Sequence, residues 1–234
     1  MQPIPLVNPD VRECSELLTV MADPDCRTGG PAYEMFRGLY LNDPDKKWLE
    51  EHKIRYDITR IPGQVICGEW IKTKGHYHQS APDGYAFPEI YEVLEGEALY
   101  LLQKIDLSDI ILVNARKGDL VLIPPGYGHV TINPSEDTLL MANLVSSAFT
   151  SEYLPFEKMQ GAAYYLFADG RRERNPRYPE TIPELREVTC YGKPLPEPFP
   201  QQALYSCVGD EKSLAFLNNP GSFLKEYQEL YLFM

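Results

Sequence analysis

Long hydrophobic runs are missing from this chain of 234 residues. No stretch reaches the roughly 18 consecutive apolar residues that a membrane-spanning helix requires. The start of the chain also lacks the basic segment and apolar core of a secretory leader. We therefore expect a cytoplasmic protein that does not act at a membrane.

Positive charge is scarce, because 22 Lys and Arg residues stand against 34 Asp and Glu residues and the formal net charge is −12. A surface of this charge repels phosphate backbones and anionic lipid headgroups. Nucleic acid and membranes are therefore poor partners. An anionic substrate would need local positive charge within its site.

Cysteine is sparse too, and its five occurrences are scattered, with no Cys-x-x-Cys pair among them. An odd number at this spacing argues against a disulfide framework and against a zinc ribbon. We expect all five to be reduced, namely Cys14, Cys26, Cys67, Cys190 and Cys207.

Histidine occurs only four times, yet three of the four stand in two short motifs rich in glycine and proline. His76 and His78 are two residues apart, so their imidazoles leave an extended segment on the same face. Glu89 opens an apolar segment and His129 follows a Pro-Pro-Gly turn, so each can approach from a neighbouring strand. A lone histidine is usually structural, but this clustering predicts a metal site formed by His76, His78, Glu89 and His129.

Three imidazole nitrogens and one carboxylate are ligands of intermediate softness. They suit iron, manganese, nickel or zinc, and the ligands alone do not choose among these ions because affinity order and cellular supply compete. We expect one divalent ion per chain, with Fe²⁺ as the first choice and Mn²⁺, Ni²⁺ or Zn²⁺ as alternatives.

The strand pattern predicts a single all-β domain over residues 1–234. Short segments separated by Gly and Pro turns favour a jelly-roll barrel over a parallel α/β arrangement. Residues 54–61 alternate apolar and polar side chains, as a half-buried strand does. Residues 89–103 read as two strands joined at the Glu95-Gly96 turn.

Additions are expected at both ends of the metal-binding core, which covers about residues 54–145. A helix is predicted within residues 1–30, from Asn8 to Ala22, followed by an aromatic strand over 33–41. One strand over 65–72 would lead into the histidine pair. Residues 169–234 should wrap the barrel, as coil up to about residue 200 and then as two short helices.

The two motifs resemble those of the cupin superfamily, whose fold is a jelly-roll barrel, or double-stranded β-helix. The first motif runs from Gly75 through Glu89 to Gly96, and the second from Gly118 through His129 to Asn133. The spacer between His78 and Glu89 departs from the family, because it holds ten residues instead of three or four. Within the superfamily, residues 30–180 resemble the archaeal cupin-type glucose-6-phosphate isomerases, particularly over 73–78, 88–91 and 125–133.

This resemblance implies roles for several side chains. It implies that Glu89 is catalytic: as a ligand, as the base that takes the C2 proton, or as each in turn if substrate oxygens displace it from the metal. It also implies a homodimer acting on a phosphorylated hexose. The reaction would pass through an enediolate or, alternatively, through a metal-assisted hydride shift. Family members carry Tyr near Val145 and His near Ser151, so part of the pocket differs here. The implied substrate contacts are Thr59, Thr73, Lys74, Gly75, Tyr91 and Tyr153.

Two other functions use the same motifs. One is a different cupin enzyme, such as a mannose-6-phosphate isomerase or a metal-dependent dioxygenase, which would differ in its pocket walls. The other is a non-catalytic sugar-binding cupin, which is disfavoured because all four ligand positions are intact.

Overall fold

The computed structural model describes residues 8–231, and its strands form two main antiparallel layers. The strands, in chain order, are β1 (Asp10–Glu13), β2 (Pro31–Phe36), β3 (Ile54–Ile61), β4 (Val65–Ile66), β5 (Glu69–Trp70), β6 (Tyr77–His78), β7 (Glu89–Glu95), β8 (Glu97–Lys104), β9 (Ile110–Arg116), β10 (Leu120–Ile123), β11 (Tyr127–Ile132), β12 (Leu139–Ser146), β13 (Ser151–Glu152), β14 (Tyr164–Leu166), β15 (Arg172–Arg174) and β16 (Arg186–Thr189).

Short helices lie between and after these strands. The α-helices are α1 (Cys14–Leu17), α2 (Asp43–Glu51), α3 (Leu154–Lys158), α4 (Glu211–Leu214) and α5 (Leu224–Glu229). Single 3₁₀ turns cover Leu18–Val20, Leu204–Cys207, Ala215–Leu217 and Pro220–Phe223.

The larger sheet has the strand order β1-β2-β3-β12-β7-β10, and the smaller one has the order β11-β8-β9-β16. The turn between β7 and β8 connects the two sheets. This turn needs glycine, because Gly96 has a φ of +80° and a Cβ there would lie 2.8 Å from the carbonyl oxygen of Thr138. The mostly β architecture of two facing sheets confirms the predicted jelly-roll fold.

The two faces of strand β3 have different roles: one lines a cavity and the other packs against elements outside the barrel. Its apolar side chains alternate with Arg55, Asp57 and Thr59, which line a cavity on the inner side of the sheet. The other face is covered by outer elements, and the Tyr56 ring packs edge-on against Tyr205 with centroids 4.9 Å apart. The short C-terminal helices therefore seal an apolar face that would otherwise meet water.

The predicted N-terminal helix is largely wrong. Residues 10–13 form strand β1, which pairs with β2, and only Cys14–Leu17 is α-helical. The apolar spacing suited a helix, but the open edge of β2 provides backbone partners that a helix there would leave unused. The part of that prediction before Asn8 lies outside the described residues, and the aromatic strand ends at Phe36.

Residues 65–72 form a small hairpin and not one strand, because Gly68 has a φ of +90° and turns the chain between β4 and β5. The predicted coil after residue 169 also contains structure. Strand β15 pairs with β14, and β16 adds to β9 in parallel. The sequence gives no apolar alternation for β15 or β16, because β15 buries no side chain and β16 buries only Val188.

The expectation of five reduced cysteines is wrong. Cys26 and Cys67 form a disulfide, with their Cα atoms 6.1 Å apart and 41 positions apart in sequence. The segment before Cys26 folds onto the β4–β5 hairpin, where the Ala22 N–H donates to Glu69 at 2.6 Å. The two cysteines meet only because distant segments of the chain pack together, so their spacing in the sequence does not predict the bond. The other three cysteines are free and buried.

Within residues 8–231, no helix is both long enough and apolar enough to cross a membrane.

Candidate metal centre and active site

The site is built on a reciprocal backbone pair. The His76 N–H donates to the His129 carbonyl at 3.2 Å, and the His129 N–H donates to the His76 carbonyl at 3.1 Å. Residues paired in this way project their side chains from the same face. His78, two positions after His76 on β6, adds a third imidazole on that face.

Glu89 comes from the opposite sheet. It begins β7 and lies between Ile123 of β10 and Val145 of β12. Tyr91, two residues later, shares its face and stands directly opposite Asn143. The facing sheets thus bring a carboxylate towards the three imidazoles.

The four predicted ligands converge, and their ligand atoms all lie within 4.8 Å of one another. The Nε2 atoms of His76 and His78 are 3.0 Å apart. Glu89 Oε2 lies 3.2 Å from His78 Nε2 and 3.4 Å from His129 Nε2. The cluster is therefore compact enough for one ion to reach all four groups.

A second layer of contacts orients the ligands. His78 Nδ1 lies 2.7 Å from the Phe87 carbonyl, to which it donates, so its Nε2 presents a lone pair to the cluster. The Asn143 amide donates to Glu89 Oε1 at 2.7 Å, which leaves Oε2 directed at the histidines. The Tyr91 hydroxyl lies 3.1 Å from His129 Nε2.

Burial keeps the imidazoles of His76 and His129 neutral. Desolvation lowers the pKa of His129 from 6.5 to about 4. Desolvation, together with the neighbouring His129 and His78, puts the pKa of His76 well below its ordinary value. Neutral imidazole is the form that binds metals.

The pKa values of Glu89 and Tyr91 are shifted in opposite directions. Burial by itself would raise the pKa of Glu89, but the adjacent imidazoles of His78 and His129 bring it below the ordinary value. Burial, together with the adjacent Glu89, raises the pKa of Tyr91 well above 10.0. The site therefore holds a carboxylate beside a protonated phenol.

The donor set fits a divalent cation. Glu89 Oε2 is buried and accepts no hydrogen bond from the described residues. Such an atom is costly unless a cation compensates it. The neutral imidazoles also direct nitrogen lone pairs at one another, and a cation between them would compensate these lone pairs as well. The residues support a metal, and they do not select which one.

A cavity of about 360 Å³ opens beside this cluster. Five of the predicted substrate contacts lie in its wall, namely Thr59, Thr73, Gly75, Tyr91 and Tyr153. Val145 and Ser151, where the family carries other residues, line it as well. Lys74 does not, because its ammonium group pairs with Glu157 at 2.5 Å outside the cavity wall. Successive residues of an extended chain point to opposite faces, so Lys74 points away from the cavity that Thr73 and Gly75 line.

Sequence reasoning missed the cationic side of the cavity. Arg37 and Arg55 line it together with Asp57. The Arg55 Nε atom donates to both Asp57 oxygens, at 2.9 and 2.7 Å, and Arg37 lies 3.7 Å from the same carboxylate. The strand period would have revealed two of the three, because Asp57 and Arg55 are two and four positions before Thr59.

A sequence model described as glucose-6-phosphate isomerase (GPI) matches residues 11–183. The chain belongs to this family. The resemblance seen in the motifs is thereby confirmed at the level of the family.

One curated relative is the glucose-6-phosphate isomerase of Thermococcus litoralis, which is 29% identical over 92 residues. The match covers 39% of this chain and 45% of that protein, less than half of its length.

Solved structures that are similar to parts of this chain include a mutant of Bacillus subtilis oxalate decarboxylase, with 14% identity and a TM-score of 0.39 over 52% of this chain and 28% of that one. The Drosophila melanogaster CENP-C cupin domain has 14% identity and a TM-score of 0.33 over 50% and 71% of the respective chains. Scores this low carry no argument about chemistry.

Proposed function

We propose that this protein is a metal-dependent isomerase that interconverts glucose 6-phosphate and fructose 6-phosphate. The observation that carries the proposal is the convergence of His76, His78, Glu89 and His129 beside a cavity of about 360 Å³, in a chain of this family. Small-molecule sites typically measure about 300–1,000 Å³, so an open-chain hexose phosphate is of suitable size.

The cavity wall suits an anionic substrate despite the acidic chain. Two guanidinium groups, Arg37 and Arg55, contact the carboxylate of Asp57, and Arg37 also pairs with Asp10, which lies outside the wall. On this side the wall itself therefore presents two cations and one carboxylate. Thr59, Thr73 and Gly75 would donate to the phosphate, as the family resemblance implies. The charge of Arg37 and Arg55 would then attract the anionic substrate, and their guanidinium groups would donate to its hydroxyl groups.

Isomerisation moves a hydrogen between C2 and C1 of the sugar. Glu89 is the carboxylate of the cluster and lines the cavity, so it is the base best placed to take the C2 proton on Oε2 and return it to C1. Its lowered pKa keeps it ionised at neutral pH and also makes it a weaker base. Asn143 would hold the Oε1 atom throughout. Tyr91 stays protonated and would donate a hydrogen bond.

His76, His78 and His129 would hold the divalent ion, and Glu89 would be a fourth ligand that becomes free to act as the base when substrate oxygens displace it. When bound, the ion supplies positive charge beside the carbonyl and hydroxyl oxygens of the sugar, where negative charge develops during the reaction. Iron is our first choice, and a phosphorylated hexose, a homodimer and a cytoplasmic location are parts of the same proposal.

The decisive experiment follows fructose 6-phosphate turnover in a coupled assay after chelation and after return of Fe²⁺, Mn²⁺, Ni²⁺ or Zn²⁺ separately. Activity should disappear on chelation and return with at least one ion. Turnover that persists fully in metal-free protein would contradict the metal requirement. Formation of mannose 6-phosphate as the main product would assign the substrate differently.

The route of the hydrogen can be tested in deuterated water. Proton transfer through Glu89 predicts that solvent deuterium enters the product, to the extent that the carboxyl group exchanges before it returns the proton. Complete retention of the original C2 hydrogen, in a variant whose cavity is opened by Tyr153→Ala, would favour a direct hydride shift instead.

A further inference from the structure

A second cavity, of about 520 Å³, lies at one end of the smaller sheet and is larger than the cavity beside the metal centre. The two cavities share none of the wall residues that the structure describes. Tyr127 of β11 stands directly opposite Lys104 of β8, and Arg186 of β16 stands opposite Ile111 of β9. All four strands thus contribute to this wall.

Helix α5 and the residues after it close the other side of the cavity. Leu224, Tyr227, Gln228 and Tyr231 line it there. Tyr231 is anchored by its hydroxyl, which donates to the Leu122 carbonyl at 2.6 Å, and Arg186 donates to the Tyr231 carbonyl at 2.7 Å. The wall is therefore built from packed elements with fixed contacts.

Aromatic rings dominate the lining, which includes Tyr85, Tyr127, Tyr227 and Tyr231. Tyr85 is 42% exposed and offers a ring at the rim. Aromatic faces favour stacking with flat ligands and with cations. The cavity therefore suits a planar ring better than a flexible aliphatic chain.

The lining of this cavity contains two positively charged side chains, Lys104 and Arg186, and one negatively charged side chain, Asp109. Asp109 accepts from the Tyr127 hydroxyl at 2.7 Å and from Arg186 at 3.2 Å, so its charge is already compensated. The Lys104 ammonium lies 5.7 Å from the centre of the Tyr127 ring and forms no ion pair with any carboxylate that the structure describes. Two cations against one carboxylate leave an excess positive charge, in a chain whose net charge is −12.

We propose that this cavity binds a small ligand composed of a planar aromatic ring joined to one anionic group. The ring would stack on the tyrosines, and the anion would pair with the Lys104 ammonium. A nucleoside monophosphate and an aromatic carboxylate both have this chemistry. The site does not depend on the proposed isomerase activity.

The cavity is also close to the metal centre along the chain. Tyr127 precedes His129 by two residues, and Leu122, which receives the Tyr231 hydroxyl, precedes Ile123, the residue opposite Glu89. A ligand in the second cavity would therefore contact elements that carry or pair with metal ligands.

Isothermal titration calorimetry on the full chain tests the proposal with AMP and with indole-3-acetate as probes, and with adenosine and inorganic phosphate as single-feature controls. At least one aromatic anion should bind, about tenfold or more tightly than either control, because loss of a charged contact typically costs that much. Whichever probe binds more tightly identifies the source of the anion.

Variants locate the binding. Lys104→Met should weaken the tighter probe about tenfold or more, and Tyr85→Ala should weaken it as well, whereas Lys193→Met, an exposed lysine outside the lining, should not. Circular dichroism melts would verify that each variant folds. Absence of binding by both aromatic anions at millimolar concentration, or equal affinity in folded Lys104→Met, would overturn the proposal.

Discussion

His76 and His129 are 53 positions apart in the sequence, yet each donates its backbone N–H to the carbonyl of the other, at 3.2 and 3.1 Å. Two ligands of the proposed ion are thus held by one antiparallel backbone pair. Their separation is set by the ladder and not by the rotamers of the side chains alone.

Removing a ligand should empty this centre. His129→Ala and Glu89→Gln are expected to lower turnover of fructose 6-phosphate about 100-fold or more, beyond what changes outside the ligand shell usually cost. Metal content by mass spectrometry should fall in parallel. His52→Ala is the matched control, because His52 stacks on Trp48 away from the cluster. Wild-type turnover in either ligand variant would remove this site.

Asn143 should position Glu89 through the 2.7 Å hydrogen bond to Oε1. Asn143→Ala frees that oxygen, so we expect metal affinity, measured by competition with a chelator, to fall about 10- to 100-fold. Asn114→Ala removes a comparable amide that donates to Val188 on the other sheet, and it should leave metal affinity unchanged. Equal affinities in the two variants would contradict the positioning role.

Gly75 leaves no room for a side chain beside His76. Its φ is +76°, and a Cβ would lie 2.6 Å from Val130 Cγ2. We expect Gly75→Ala to cost about 2–4 kcal/mol of unfolding free energy, from left-handed strain plus crowding. Gly118→Ala, with φ +91° and open space around it, should cost only the strain, about 1–2 kcal/mol. Denaturant melts of both would separate crowding from strain, and equal costs would refute the crowding.

The Cys26–Cys67 disulfide should stabilise the fold without serving the chemistry. It closes a loop across a sequence separation of 41 residues. In the chain-entropy model a bond of this span contributes up to about 4 kcal/mol. Cys67→Ser should therefore lower the melting temperature in oxidising buffer, match wild type in dithiothreitol, and keep full turnover. Identical melts of wild type in both buffers would argue against the bond.

Acid should destabilise the metal-free protein through His129. Its pKa is about 4 in the folded chain and about 6.5 when unfolded, so between these values only the unfolded chain takes up the proton. Stability should fall as the pH drops through that window, and the effect should level off below about pH 4. Urea melts of wild type and His129→Gln would measure it. The variant should lose less stability on acidification, and an equal loss would assign the effect elsewhere.

The sequence by itself determined the four residues of the His–Glu cluster, most of the barrel strands and the family. These depend on local patterns: two histidines at the period of a strand, glycines where the turns require positive φ, and alternation within Ile54–Ile61. Such features are set by residues close together in the chain, and they can be read before the chain folds.

Only the tertiary structure decided the N-terminal strand and the Cys26–Cys67 bond. It also decided that Lys74 pairs with Glu157 outside the cavity wall, and that Arg37 joins Arg55 and Asp57 in that wall. Each depends on which distant segment covers an open edge or faces a given side chain. Backbone edges and charged groups accept many partners of similar energy, so local sequence cannot choose among them, and the choice follows from how the whole chain packs.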